Sequence, residues 1–60
     1  MTAKELEKII KNDGWYLHSI QGSHYHYKHK EKNGRVTIPF HKGDIPKGTE
    51  NSILRQAGLK

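Results

Sequence analysis

Tyr25-His26-Tyr27-Lys28-His29-Lys30-Glu31-Lys32-Asn33-Gly34-Arg35-Val36-Thr37-Ile38-Pro39-Phe40 is the stretch on which the fold turns. Two runs of alternating character flank Glu31-Lys32-Asn33-Gly34, and the Asn-Gly pair is a strong hairpin signal, so Tyr25 to Lys30 and Val36 to Phe40 read as antiparallel neighbours. In the later run Val36, Ile38 and Phe40 point one way while Arg35, Thr37, Pro39 and His41 point the other. In the earlier one Tyr25 and Tyr27 separate from His24, His26, Lys28 and Lys30. With the tyrosines set beside Val36, Ile38 and Phe40 on a core, the open face of the sheet carries imidazoles and ammonium groups. Pro39 cannot donate a ladder hydrogen bond, so the later run is either an edge strand there or ends early.

Working outward, Trp15 to Gln21 reads as a further strand, joined to the hairpin through the polar corner Gly22-Ser23. Before it, Ala3 to Asn12 reads as a helix. Thr2 and Glu5 have capping-box spacing, Leu6, Ile9 and Ile10 form one apolar stripe, and Asn12-Asp13-Gly14 stops the helix. After the sheet, His41 to Gly48 is a polar loop punctuated by Gly and Pro. Thr49 is the expected N-cap of a second helix, Ile53, Leu54 and Ala57 its buried stripe, and Gly58 its left-handed C-cap with Leu59 covering the last turn. The order helix, three strands, helix predicts an α+β domain with two helices on one face of a three-stranded antiparallel sheet.

Sixty residues suffice for one domain and one modest core, so residues 1–60 are read as a single unit. The chain has no cysteine, which removes disulfides and thiolate metal sites as supports. No apolar run approaches a signal-peptide core or a membrane span, and the expectation is a soluble, cytoplasmic protein. Eleven Lys/Arg against six Asp/Glu give a net charge of +5. From Ser23 onward eight basic residues face only Glu31, Asp44 and Glu50. The partner expected from charge is a polyanion or an acidic protein surface; neither helix pairs a long apolar face with a polybasic one, as a membrane-binding helix would.

Gly22-Ser23-His24-Tyr25-His26 is the candidate site. A histidine can give or take a proton near neutral pH, and a strand end can hold it while the adjoining glycine admits a ligand. His24-x-His26 and His41 can share one sheet face, but without cysteine or a nearby acid the pattern is not a specific zinc signal. Asp13, Asp44 and the glutamates are dispersed rather than grouped for paired magnesium ions. No metal or cofactor is expected. Trp15, Tyr27 and Phe40 are assigned to the core, and His18 and His29 to structural or exposed roles.

The ordered set Asp13-Gly14-Trp15, Gly22-Ser23-His24, Val36-Thr37-Ile38-Pro39 with His41, and Gly48-Thr49 leading into Ile53-Leu54-Arg55-Gln56-Ala57-Gly58 resembles the HicA-type toxins of HicA/HicB toxin–antitoxin systems. Nearly the whole chain takes part in the resemblance. It implies a fold like the double-stranded-RNA-binding domain, ribosome-independent cleavage of mRNA, His24 as the catalytic histidine, and a HicB-type antitoxin as partner. Tyr25 stands where the family often has a second histidine, with His26 one residue later. A double-stranded-RNA-binding domain proper also has a lysine-rich helix start, which only Lys42 and Lys47 approach here.

Joined to the residue reading, the resemblance implies a metal-independent endoribonuclease acting on mRNA or other single-stranded RNA. Ser23, His26, Lys28 and His41 are the candidates to support His24, and Lys28, Lys30, Arg35, Lys42 and Lys47 those for phosphate contacts. The competing class is a noncatalytic RNA-binding or antitoxin-binding module on the same fold. No seam for homo-oligomerisation is visible in the sequence.

Overall fold

The computed structural model describes residues 1–60 as α1 (Ala3–Asn12), β1 (Tyr16–Gln21), β2 (His24–Lys28), β3 (Val36–Pro39) and α2 (Lys47–Gln56). The sheet is antiparallel in the order β1-β2-β3, so β2 is central and β3 is an edge. This is the expected α+β architecture.

Helix α1 begins with a complete capping box. The Glu5 amide donates to Thr2 Oγ1 at 3.2 Å and the Thr2 amide donates to Glu5 Oε1 at 2.8 Å, which satisfies two of the free donors at the helix start. The helix ends on Gly14, whose φ of +108° only glycine adopts easily. Gly14 N donates to Lys11 O and Trp15 N to Ile10 O, a Schellman closure that swings Trp15 into the core.

Ala3, Leu6 and Ile10 from α1, Trp15, Tyr27, Val36, Ile38 and Ile45, and Ile53 and Ala57 near the end of α2 form the buried core, with Tyr25, Phe40 and Leu54 packed against it. Both helices therefore lie on the face that Tyr27, Val36 and Ile38 present. Both pack chiefly over β3, which leaves the inner side of β1 open, and Leu17 and Ile20 are 39% and 50% exposed. Ile9, expected in the buried stripe, is 38% exposed. The spacing of Ala3, Leu6 and Ile10 sets the face turned to the sheet, and Ile9 lies one residue off it.

The β1–β2 connection is a two-residue turn, Gly22-Ser23, with positive φ at Gly22 alone, the pattern of a type II′ hairpin. A bulge at His18 shifts the register between Leu17↔Tyr27 and Ser19↔His26. The extra residue keeps Leu17 and Ile20 on the helix side while Ser19 and Gln21 join the open face.

Two boundaries differ from the sequence reading by more than one residue. Strand β2 ends at Lys28 rather than Lys30, and residues 29–35 form a seven-residue loop in place of the expected turn over Glu31 to Gly34. The cause is His29. Its Nε2 lies 2.8 Å from Asp13 O, and its Nδ1 accepts from the amides of Glu31 and Lys32 at 3.0 and 3.2 Å. Because a carbonyl can only accept, Nε2 carries the proton and the ring is neutral. Lys32 then pairs with Asp13 and donates to Ala57 O at 3.0 Å, so the loop is tied to the ends of both helices. Helix α2 starts at Lys47 with Pro46 at the N-cap, three residues before the expected cap Thr49. Pro46 has φ −55° and ψ 146°, so it stands just outside the helix as an N-cap does, and its carbonyl accepts from Glu50 N at 2.9 Å. Gly58 closes the helix in the left-handed region, as expected, with Leu59 N donating to Leu54 O.

Candidate functional site

His24 is the first residue of β2, directly after the Gly22-Ser23 turn, and pairs with Gln21 on one side and Pro39 on the other. Its side chain is exposed on the face away from the helices. The β2–β3 ladder continues one step beyond the strands, since Phe40 N donates to Ser23 O at 2.7 Å. That bond fixes the chain where it leaves β3, while the Phe40 ring stacks on Tyr25 with centroids 4.0 Å apart on the core side. The next residue, His41, is thereby brought beside His24. Their rings are 6.5 Å apart between centroids and nearly perpendicular, at 82°. Both are exposed, and neither takes part in a hydrogen bond of the fold. Ser23 is half-buried and serves the fold through its carbonyl.

His26 shares this face but not this freedom. It is only 8% exposed, with Nδ1 2.9 Å from Thr37 Oγ1 and Nε2 3.3 Å from Gln21 Oε1. The amide oxygen of Gln21 can only accept, so Nε2 carries the proton and Nδ1 accepts from the Thr37 hydroxyl. The expectation that His26 offers an open imidazole is corrected: its ring clips β1, β2 and β3 together as the floor of the face. Register was the missing information, since alternation puts His26 on the open side but does not reveal that Gln21 and Thr37 flank it.

The basic residues divide between the two ends of the sheet. His41 and Lys42 follow β3 at the end where His24 begins β2. Lys28, Lys30 and Arg35, all exposed, lie at the opposite end, around the 29–35 loop. Lys28 is four residues along the strand from His24, about 13 Å at the usual rise. Lys47 is exposed at the first residue of α2. Lys32, by contrast, has its ammonium engaged by Asp13 and Ala57. Of the five histidines, His26 and His29 are structural, His18 occupies the β1 bulge, and His24 and His41 remain free and adjacent.

No group of three His, Cys, Asp or Glu side chains is placed to hold a metal ion, so His24, His26 and His41 do not converge on one point. The one surface depression is formed by Lys4, Glu5, Glu7, Lys8, Lys11 and Asn12 of α1 and shares no residue with the histidine face. The histidine pair thus stands on an open surface, accessible to a long polymer. No helix is long and apolar enough to cross a membrane.

In comparison with known proteins, residues 3–59 match the family described as the HicA toxin of bacterial toxin–antitoxin systems. No curated protein matches the chain.

Proposed function

The chain belongs to the HicA toxin family, a toxin role that implies a cognate antitoxin, and from that premise we propose that it is an endoribonuclease that cleaves single-stranded mRNA with His24 as its principal acid–base group. The observation that carries the reading is the state of His24: exposed, free of the fold's hydrogen bonds, and held at a rigid strand start on an open face with lysines at both ends. An imidazole in that position can exchange a proton with a bound phosphodiester without dismantling the sheet.

RNA supplies its own nucleophile, the 2′-hydroxyl. The enzyme's task is to remove that proton, protonate the leaving 5′-oxygen and stabilise charge on the phosphorane. Lys42 is the nearest ammonium in sequence to the histidine end and suits the reacting phosphate. Lys28, Lys30 and Arg35 suit phosphates farther along the strand, since counter-charge positions an RNA without reading its bases. The same positive face suits an acidic surface on a HicB-type antitoxin, whose approach would be faster at low salt. A cytoplasmic site of action follows from an mRNA substrate.

The test compares the intact protein with His24→Ala on mixed-sequence single-stranded RNA, with product ends identified by mass spectrometry. His24→Ala should lose about 10²–10⁴-fold in rate and remain folded by circular dichroism, because His24 lies outside the core. Equal cleavage by both proteins removes His24 from the mechanism, and binding without cleavage by either marks a noncatalytic module. Products carrying a 5′-phosphate and no 2′,3′-cyclic or 3′-phosphate would replace 2′-hydroxyl attack with attack by water.

A further inference from the structure

The geometry points to His41 as the second catalytic residue, forming with His24 a two-imidazole pair that holds both proton positions of the cleavage step. The inference rests on the endoribonuclease reading above and adds the partner group which that reading leaves unassigned.

Transfer of the phosphoryl group to the 2′-oxygen needs two proton transfers on opposite sides of phosphorus, and one histidine cannot be in both places at once. Five histidines are available in the chain, and the fold removes three of them. His26 has both ring nitrogens engaged beneath the face. His29 has both engaged in the 29–35 loop. His18 lies in the β1 bulge, level with Tyr27 and His26 rather than at the His24 end of the sheet. His41 alone stands beside His24, at a centroid separation of 6.5 Å and with no hydrogen bond between the rings. For a phosphate held by both rings, each must bring a nitrogen to about 2.6–3.2 Å from the oxygen it serves, a reach that two exposed side chains at this separation have. Both rings are exposed and unengaged, so each can turn about its side-chain bonds to bring a nitrogen to the oxygen it serves.

The placement is also built rather than incidental. The Phe40–Ser23 backbone bond and the Phe40–Tyr25 stack fix both flanks of the pair. Pro39, opposite His24 in the register, adds a residue of fixed φ just before Phe40.

In the step, the 2′-oxygen bonds to phosphorus as its proton passes to the neutral imidazole. The bond from phosphorus to the 5′-oxygen breaks, and that oxygen takes a proton from the imidazolium. The products are a 2′,3′-cyclic phosphate and a 5′-hydroxyl. One proton has moved from one ring to the other by way of the substrate, and exchange with water restores the starting state; no co-reactant is consumed.

The experiment first maps a bond the intact protein cleaves, then prepares the same RNA with sulfur in place of the bridging 5′-oxygen at that bond. A thiolate leaves without needing a proton, because its conjugate acid is far stronger than an alcohol. On the oxygen substrate His24→Ala and His41→Ala should each lose about 10²–10⁴-fold in kcat, and His41→Gln should behave as His41→Ala does. Circular dichroism melting should show all three variants folded. On the sulfur substrate one of the two alanine variants should recover most of its loss, identifying the acid, while the other stays slow, identifying the base. Undiminished cleavage by His41→Ala overturns the assignment, as does a rise in KM at unchanged kcat, which would make His41 a phosphate binder. Recovery of both alanine variants, or of neither, also overturns it. All of these outcomes leave the broader endoribonuclease reading standing; failure of the intact protein to cleave any RNA defeats that reading itself.

Discussion

Replacing Gly14 by alanine should be among the most damaging single-methyl additions this chain can suffer. Gly14 sits at φ +108°, and a Cβ built there lies 2.7 Å from Nε2 of His29 and 3.3 Å from two of its ring carbons. Left-handed backbone costs an L-residue about 1–2 kcal/mol. The added methyl also pushes on the ring that holds Asp13 O and the amides of Glu31 and Lys32. Loss of one such bond is worth about 0.5–1.5 kcal/mol, and the lower chain entropy of alanine in the unfolded state returns about 0.4–1 kcal/mol. The expected net cost is about 1–3 kcal/mol, from a total stability of about 3–9 kcal/mol for sixty residues. At about 4–8 °C per kcal/mol for so small a domain, the melting temperature should fall by roughly 5–20 °C in a circular dichroism melt. The mechanism makes a sharper statement through the double variant. His29→Ala removes the ring that the methyl strikes, so Gly14→Ala/His29→Ala should be less destabilised than the sum of the two single changes, by about 1 kcal/mol. A Gly14→Ala protein melting within 2 °C of the parent, a margin below the roughly 4–8 °C expected per kcal/mol, or strict additivity in the double variant, would refute the clash.

Two further predictions concern ionisable groups. The Lys32 hydrogen bond holds the Asp13 carboxyl below its ordinary value of 3.8, so its contribution is present above that pH and is lost as pH falls through the lower folded value; urea midpoints measured from pH 5 downward should fall more steeply for the parent than for Lys32→Met. Tyr27 is fully buried with its hydroxyl donating to Glu7, and burial first, then that hydrogen bond, push its ionisation far above the ordinary 10.0. Its contribution is therefore full below pH 10 and is lost as pH rises beyond it. Tyr27→Phe should lower stability by about 1–3 kcal/mol at neutral pH and blunt the alkaline decline in thermal melts.

The architecture was legible because its signals are local. Thr2 and Glu5 fix one helix start, Gly14 and Gly58 fix two helix ends, and the alternation of Tyr25/Tyr27 and Val36/Ile38 assigns the two faces of the sheet. What could not be read are contacts between elements distant in sequence. The Asn33-Gly34 pair suggests a turn over Glu31 to Gly34 directly after a strand running to Lys30, yet His29 captures the Glu31 and Lys32 amides and reaches across to Asp13, so the loop is longer and the strand shorter. Ile9 fits the helical period but lies one residue off the face that Ala3, Leu6 and Ile10 turn to the sheet. Pro46 displaces Thr49 at the start of α2, with an extended ψ of 146° and its carbonyl, not a side-chain cap, opening the helix by accepting from Glu50 N.

The same distinction governs the site. His24, His26, His29 and His41 are chemically identical in sequence, and a neutral imidazole is equally suited to bracing a fold or moving a proton. What separates the uses is whether the ring nitrogens are already occupied. A ring with both nitrogens engaged must break part of the fold before it can exchange a proton with a substrate, as His26 would with Thr37 and Gln21. A ring with neither engaged exchanges one at no structural cost. Gly22 lets the chain reverse tightly enough to start β2 at His24, and the Ser23–Phe40 bond returns β3 to the same end. The two unengaged imidazoles therefore meet at the end of the sheet that the Gly22-Ser23 turn and the Ser23–Phe40 bond hold together, and the buried His26 stiffens the surface between them and the lysines beyond. In this reading the imidazoles that brace the sheet and those that act on RNA depend on one another: the first hold the face rigid, and that rigidity keeps the second at a phosphate's separation.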